Sequence, residues 1–276
     1  MARLRAVRVA ASAALLVAGS AWGLGALLRR QAAIARRRIG KPLGEDALDA
    51  DRVWRRSLPG APLELLVVGD SIAAGLGAHR RKDTLGARVA KGLADALGRP
   101  VRLRTAAVVG AESSQLAGQL DALPGAYAPD VALVVVGGND VTHRIPVATA
   151  VAHLSAAVGR LRQRGAAVVV ATCPDLGALR AVPQPLRRLA SAASRRLAEA
   201  QADAAAAAGA RVVSLRDTVG PMFLSAPEEM FSLDRFHPSA LGYRRTAAML
   251  VPVALDALRA APAGNGAAAG RGGGGA

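Results

Sequence analysis

Leu63-Glu64-Leu65-Leu66-Val67-Val68-Gly69-Asp70-Ser71-Ile72 is the stretch on which the reading of this chain turns. Apart from Glu64, its first six residues are apolar. A short unbroken run of this kind marks a strand of a parallel sheet covered on both faces, not a strand with one wet face. The run stops at a glycine and delivers Asp70 and Ser71 at the strand's carboxyl end. Outward from it the same rhythm repeats. Further strands are expected over Val101–Val108, Val131–Val136, Ala167–Thr172 and Arg211–Leu215. Helices are expected over Thr84–Leu97, Ser113–Leu123, Val147–Arg164, Leu186–Ala208 and Ser239–Arg259. The spacing of Leu85, Val89, Leu93 and Leu97 is helical, as is that of Val151, Leu154, Val158 and Leu161. Five strands alternating with helices predict an α/β fold with a five-stranded parallel sheet. Right-handed crossovers make it a three-layer α/β/α sandwich. Ligands then bind beyond the carboxyl ends of the strands.

Three clusters of reactive side chains fall on that edge. Ser71 follows the first strand; a serine hydroxyl needs an adjacent base to act as a nucleophile. Its local alternative is a helix cap. Asp234-Arg235-Phe236-His237 places a carboxylate and an imidazole within one short turn. Asp234 can then orient His237, whose other nitrogen is left to face a serine; the alternative is a capping Asp beside a surface His. Gly137-Gly138-Asn139-Asp140 follows the third strand, where an Asn amide can donate to a developing oxyanion. Glycine and asparagine also suit an ordinary turn. Gly110, beyond the second strand, offers a backbone N–H of the same kind or is a plain loop glycine. Asp70, Thr142, His143, Cys173 and Pro174 lie near these blocks and are candidates for the substrate pocket.

In order and in residue type, these blocks resemble the four signature blocks of the SGNH/GDSL hydrolase family. Gly69 to Ile72, Gly137 to Asp140 and Asp234 to His237 match closely; Gly110 alone carries the second block. The resemblance spans residues 63–258 and is strongest to an actinobacterial branch with membrane-proximal N-termini. It implies a flavodoxin-like sandwich and ester hydrolysis without a cofactor or metal. Ser71 would be the nucleophile, His237 the general base and Asp234 its orienter. The backbone N–H groups of Ser71 and Gly110 and the Asn139 side chain would form the oxyanion hole. The substrate would be an acyl-ester small molecule or lipid. The same acyl-enzyme can serve an acyltransferase, and a degenerate member would only bind acylated ligands. The α/β-hydrolase elbow Gly-x-Ser-x-Gly fails at Ala73. Phosphate-loop and dinucleotide motifs are lacking.

Composition bears on partners. The formal charge of the 276 residues is +16, which invites a nucleic-acid reading. Residues 1–60, however, hold twelve Arg or Lys against four Asp or Glu, a net +8. Half the excess thus precedes the catalytic blocks, and no nucleic-acid-binding motif accompanies it. A single cysteine forms no internal disulfide. None of the four histidines has metal-ligand spacing with Cys or another His. Val9 to Leu28 is an uncharged run of membrane-spanning length, with Arg3, Arg5 and Arg8 before it and a basic cluster after it. It reads as a membrane anchor; a cleaved signal peptide leading to secretion is the competing reading. The expected organisation is an anchor with its basic flank at 1–41, a linker at 42–62, the hydrolase domain at 63–260 and a disordered Gly/Ala tail at 261–276.

Overall fold

A computed structural model describes residues 22–260. The α/β/α sandwich is as expected, with a sixth strand. Residues 22–39 form helix α1. Strand β1 (Val53–Trp54) pairs antiparallel with β3 at the sheet edge. It lies in the stretch read as linker. Two residues are too few for any alternating pattern to be visible in sequence. The remaining strands are β2 (Leu63–Gly69), β3 (Val101–Thr105), β4 (Val131–Val135), β5 (Ala167–Ala171) and β6 (Arg211–Val213), all mutually parallel.

Between the strands run α2 (Ser71–Ala74), α3 (Leu85–Leu97), α4 (Leu116–Asp121), α5 (Gly138–His143), α6 (Val147–Gln163) and α7 (Leu186–Ala207). After β6 come α8 (Leu215–Thr218), α9 (Gly220–Ser225), α10 (Pro227–Met230) and the long α11 (Ala240–Ala260). Thr84, expected inside α3, instead caps it, its side chain accepting from the Ala87 N–H. Alternate strand residues feed two cores. Leu65, Val67, Leu133 and Val169 face α3 and α11, whereas Leu66, Val68, Val134 and Val170 face α4 and α6.

The sheet order is β1-β3-β2-β4-β5-β6. The chain leaves β2 in one direction to reach β3, then jumps back across it to β4. That reversal opens a crevice between the carboxyl ends of β2 and β4, where doubly wound sheets hold their ligands. Ser71 follows β2 and Asn139 follows β4, so the topology brings them to one crevice. The expected span 9–28 lies outside the described residues as far as position 21, as does the whole tail 261–276. Among the described residues no helix is long and apolar enough to cross a membrane.

Candidate active site

The turn that carries Ser71, the candidate nucleophile, is built from the backbone outward. Gly69 sits at φ +134, and a Cβ there would run into the Val135 carbonyl. Only glycine lets β2 approach β4 so closely while twisting out of the sheet. Gln119, buried on α4, clamps this glycine from both sides. Its Oε1 accepts from the Gly69 N–H at 2.8 Å and its Nε2 donates to the Gly69 carbonyl at 2.7 Å. Asp70 then caps α2, accepting from the Ile72 N–H at 2.9 Å. Ser71 becomes the first residue of that helix, 6% exposed. Tyr243, fully buried on α11, donates to the Leu76 carbonyl at 2.6 Å and fixes the far end of the turn.

The candidate base, His237, arrives from the other end of the chain. Asp234 Oδ1 accepts the N–H groups of Phe236 and His237, each at 3.0 Å. Its Oδ2 lies 2.5 Å from His237 Nδ1. His237 Nε2 lies 2.9 Å from Ser71 Oγ, positioned to accept its proton. Burial pushes the Asp234 carboxyl up, but its bonds to the His237 side chain, the His237 N–H and the Phe236 N–H outweigh this and hold it below the usual carboxylate range. The carboxylate therefore stays ionised beside the imidazole. Phe236 packs edge-on to the His237 ring, with centroids 4.8 Å apart.

On the opposite lip, Gly137 turns at φ +138, where a Cβ would press on Cys173 and Gln201. Asn139 lies in the first turn of α5 and not in a turn of its own. Its Nδ2 donates to the Ala111 carbonyl at 3.0 Å. That bond uses one amide hydrogen and fixes the amide plane, leaving the second hydrogen for a substrate oxygen. Gly110, next to Ala111, is exposed at φ +83. Asp140, buried, accepts from the backbone and hydroxyl of Ser113 and ties the β3 loop to α5.

An apolar pocket opens beside Ser71, Asn139 and His237. Pro174, Leu176, Leu179, Val219, Phe223 and Phe231 are among its walls. Of the pocket candidates, Asp70 and Pro174 line this cavity; Thr142, His143 and Cys173 do not. Thr142 and His143 project from the exposed end of α5: the Thr142 hydroxyl donates to the Asn139 carbonyl, and His143 Nδ1 pairs with Glu112 Oε1 at 2.6 Å. Cys173 is buried behind Gly137, and burial pushes its thiol well above the ordinary value, so it is no rival nucleophile. Gln201, in the middle of an alanine-rich helix, joins the two neighbouring strand ends. It accepts from the Cys173 N–H at 2.7 Å and donates to the Val136 carbonyl at 3.0 Å. Sequence reasoning missed Gln119 and Gln201. The available signal was an amide side chain on a helix face that is otherwise apolar. Among the described residues, no three His, Cys, Asp or Glu side chains are grouped to hold a metal ion.

Asp70 carries a pH signature. Burial pushes its carboxyl up to about 6, against the Ile72 N–H and the nearby His237. Because the folded value lies above the ordinary 3.8, the folded chain holds the extra proton between them, and stability falls as pH rises through that window. Asp70→Asn keeps the cap through its side-chain oxygen and removes the titration. Its stability relative to wild type should rise by on the order of 1–3 kcal/mol between about pH 4 and pH 6, and stay flat on either side. Urea melts across pH 4–7 read this directly; a constant offset would assign the ionisation elsewhere.

A serine bonded to a carboxylate-held histidine, set at the switch point of a parallel sheet, defines an SGNH-type hydrolase sandwich. The chain belongs to the GDSL-like Lipase/Acylhydrolase family, whose sequence pattern matches residues 67–245. It is 44% identical over 206 residues to the GDSL-like esterase Rv1075c of Mycobacterium tuberculosis. That match covers 74% of this chain and 65% of the relative, so the chain spans a little under two thirds of the relative's length. Two solved structures share the fold. The lipase/acylhydrolase from Enterococcus faecalis has a TM-score of 0.56 at 22% identity, covering 69% of this chain and 94% of that one. The psychrotrophic esterase EstA from Pseudoalteromonas sp. has a TM-score of 0.55 at 18% identity, covering 71% and 98%.

Proposed function

We propose that this chain is a serine-dependent carboxylic ester hydrolase that works through an acyl-serine intermediate on esters with apolar acyl groups. The observation that carries the reading is the unbroken contact from Asp234 through His237 to Ser71 Oγ. His237 Nε2 takes the Ser71 proton as Oγ attacks the ester carbonyl. The resulting oxyanion is met by the Asn139 amide and by the N–H groups of Ser71 and Gly110. On collapse, His237 returns the proton to the leaving alcohol, and a water activated by His237 then releases the acid. The apolar pocket beside Ser71 supports an acyl chain as the buried part of the substrate.

A fluorophosphonate probe, followed by peptide mapping, tests the reading: the label should fall on Ser71, in a protein that hydrolyses a panel of p-nitrophenyl esters. An unlabelled serine would leave only a binding module. Acyl transfer to an added alcohol in preference to water would make the enzyme an acyltransferase. Asn139→Ala should lower kcat by roughly 10²–10³-fold with little change in KM, because its free amide hydrogen is needed only once charge develops. A change in KM alone would make it a pocket residue.

Residues 9–28 are proposed to hold the enzyme at a membrane, in keeping with the branch of membrane-proximal relatives that the sequence resembles. The uncharged run between two basic groups supports this. Full-length protein should resist carbonate extraction and yield to detergent. A soluble form beginning near Ala21 would establish a cleaved leader instead.

A further inference from the structure

Helix α1 precedes every block that carries the hydrolase chemistry, yet it is fastened to the wall of the apolar pocket. Gln31, 6% exposed, uses both ends of its amide. Its Nε2 donates to the Gln184 carbonyl, and its Oε1 accepts from the Leu186 N–H at 3.0 Å. One turn further on, and so on the same helix face, Ala35 is buried in a small cluster with Leu176, Leu179 and Val182; Phe231 and Phe236 pack against that cluster. Arg38 Nη1 adds a bond to the Ala181 carbonyl at 3.4 Å.

The segment held in this way, residues 176–186, contains one short turn of 3-10 helix (Leu176–Ala178) and is otherwise irregular until α7 begins at Leu186. Its own backbone bonds are single turns, Leu179 to Leu176 and Val182 to Leu179, with the Leu176 N–H held by Ser194 Oγ at 3.1 Å, and not a continuous ladder. Leu176, Ala178 and Leu179 from this same segment line the pocket in front of Ser71. The wall is therefore a thin irregular layer with the pocket on one side and α1 on the other.

We infer that α1 is a positioning element that fixes the depth of the acyl pocket, with Gln31 as the specificity-determining residue. The inference rests on the reading of this pocket as the acyl site. Without the Gln31 bonds, the segment loses two backbone anchors at its α7 end, α1 loosens its packing on Leu179 and Val182, and Leu179, beyond the Ser194 anchor on Leu176, gains room to lean into the pocket. A long acyl chain needs the full depth of that wall. An acetyl group needs only the triad and the oxyanion donors. The loss should therefore grow with acyl length instead of falling on all esters alike.

The test uses the full chain in detergent, with p-nitrophenyl acetate, butanoate and octanoate, and rates normalised to the serine titrated by fluorophosphonate. Gln31→Leu removes both hydrogen bonds while keeping similar bulk. The octanoate-to-acetate ratio of kcat/KM should fall by roughly tenfold, a change of the size expected for altered apolar pocket contacts. Ala35→Phe, which pushes the same segment toward the pocket, should move the ratio in the same direction. Val219→Phe, which narrows the pocket from a wall outside the α1 cluster, tests the underlying reading. If it leaves the chain-length profile unmoved, the pocket is not the acyl site and the inference falls with it. If Val219→Phe shifts the profile while both α1 variants keep the wild-type ratio, or lose activity equally on all three esters, α1 is a structural prop and the inference is overturned.

Discussion

Ser71→Ala should lower ester turnover by on the order of 10⁶-fold, the loss expected when a triad nucleophile is removed. The hydroxyl meets one partner, His237 Nε2 at 2.9 Å, and the serine lies at the start of a four-residue helix whose cap is Asp70. Neither the Asp70 cap nor the Gln119 clamp on Gly69 depends on the Ser71 side chain. The melting temperature should therefore stay close to wild type while both hydrolysis and fluorophosphonate labelling disappear. Stopped assays with the purified variant, beside a thermal melt, decide it. Turnover within tenfold of wild type would remove Ser71 from the mechanism.

Asp234→Asn should be nearly as damaging, with kcat reduced by about 10⁴-fold. The asparagine oxygen can still accept the Phe236 and His237 N–H groups that Asp234 Oδ1 now holds, so the turn keeps its shape. What changes is the atom facing His237 Nδ1, now Oδ2 at 2.5 Å. An amide nitrogen there is a donor. It forces the imidazole to carry its proton on Nε2, which can then no longer accept the proton of Ser71. A folded variant with near-normal KM and collapsed kcat is the expected result. A loss below tenfold would make Asp234 a structural cap.

The sheet was legible because its central strands β2, β4 and β5 are short, mostly apolar runs closed by glycine or a polar residue, and the helices between show their periodicity openly. The candidate site was legible because the topology needs only a strand's end to place a residue: Ser71 after β2 and Asn139 after β4. The unread parts share a different physics. Strand β1 has two residues, and α8, α9 and α10 have four to six each, too short for periodicity to register. The glycines at 137 and 138 suggested a turn, yet Gly137 only re-aims the backbone before α5 starts at Gly138. Gln119, Gln201 and Gln31 act on backbone groups 50, 65 and 153 positions away, contacts that no local pattern encodes. Thr142 and His143 are close in sequence to Asn139, but they lie a full turn further along α5, at its exposed C-terminal end and outside the pocket.

His237 follows Asp234 by three positions, and that closeness decides how the candidate site comes apart. The carboxylate and the imidazole are joined through a single turn whose N–H groups the same carboxylate holds, so small displacements between layers leave their alignment intact. All the exposure to such displacement is concentrated in one gap, Ser71 Oγ to His237 Nε2, which joins positions 166 apart in the chain. The two sides of that gap are stitched by the Ser232 hydroxyl on the Gly77 carbonyl and by Tyr243 on Leu76. Gentle heating or dilute denaturant should therefore part Ser71 from His237 while His237 keeps its bond to Asp234. Such a fault lies in spacing rather than in composition, and it should heal on cooling without the chain having to refold.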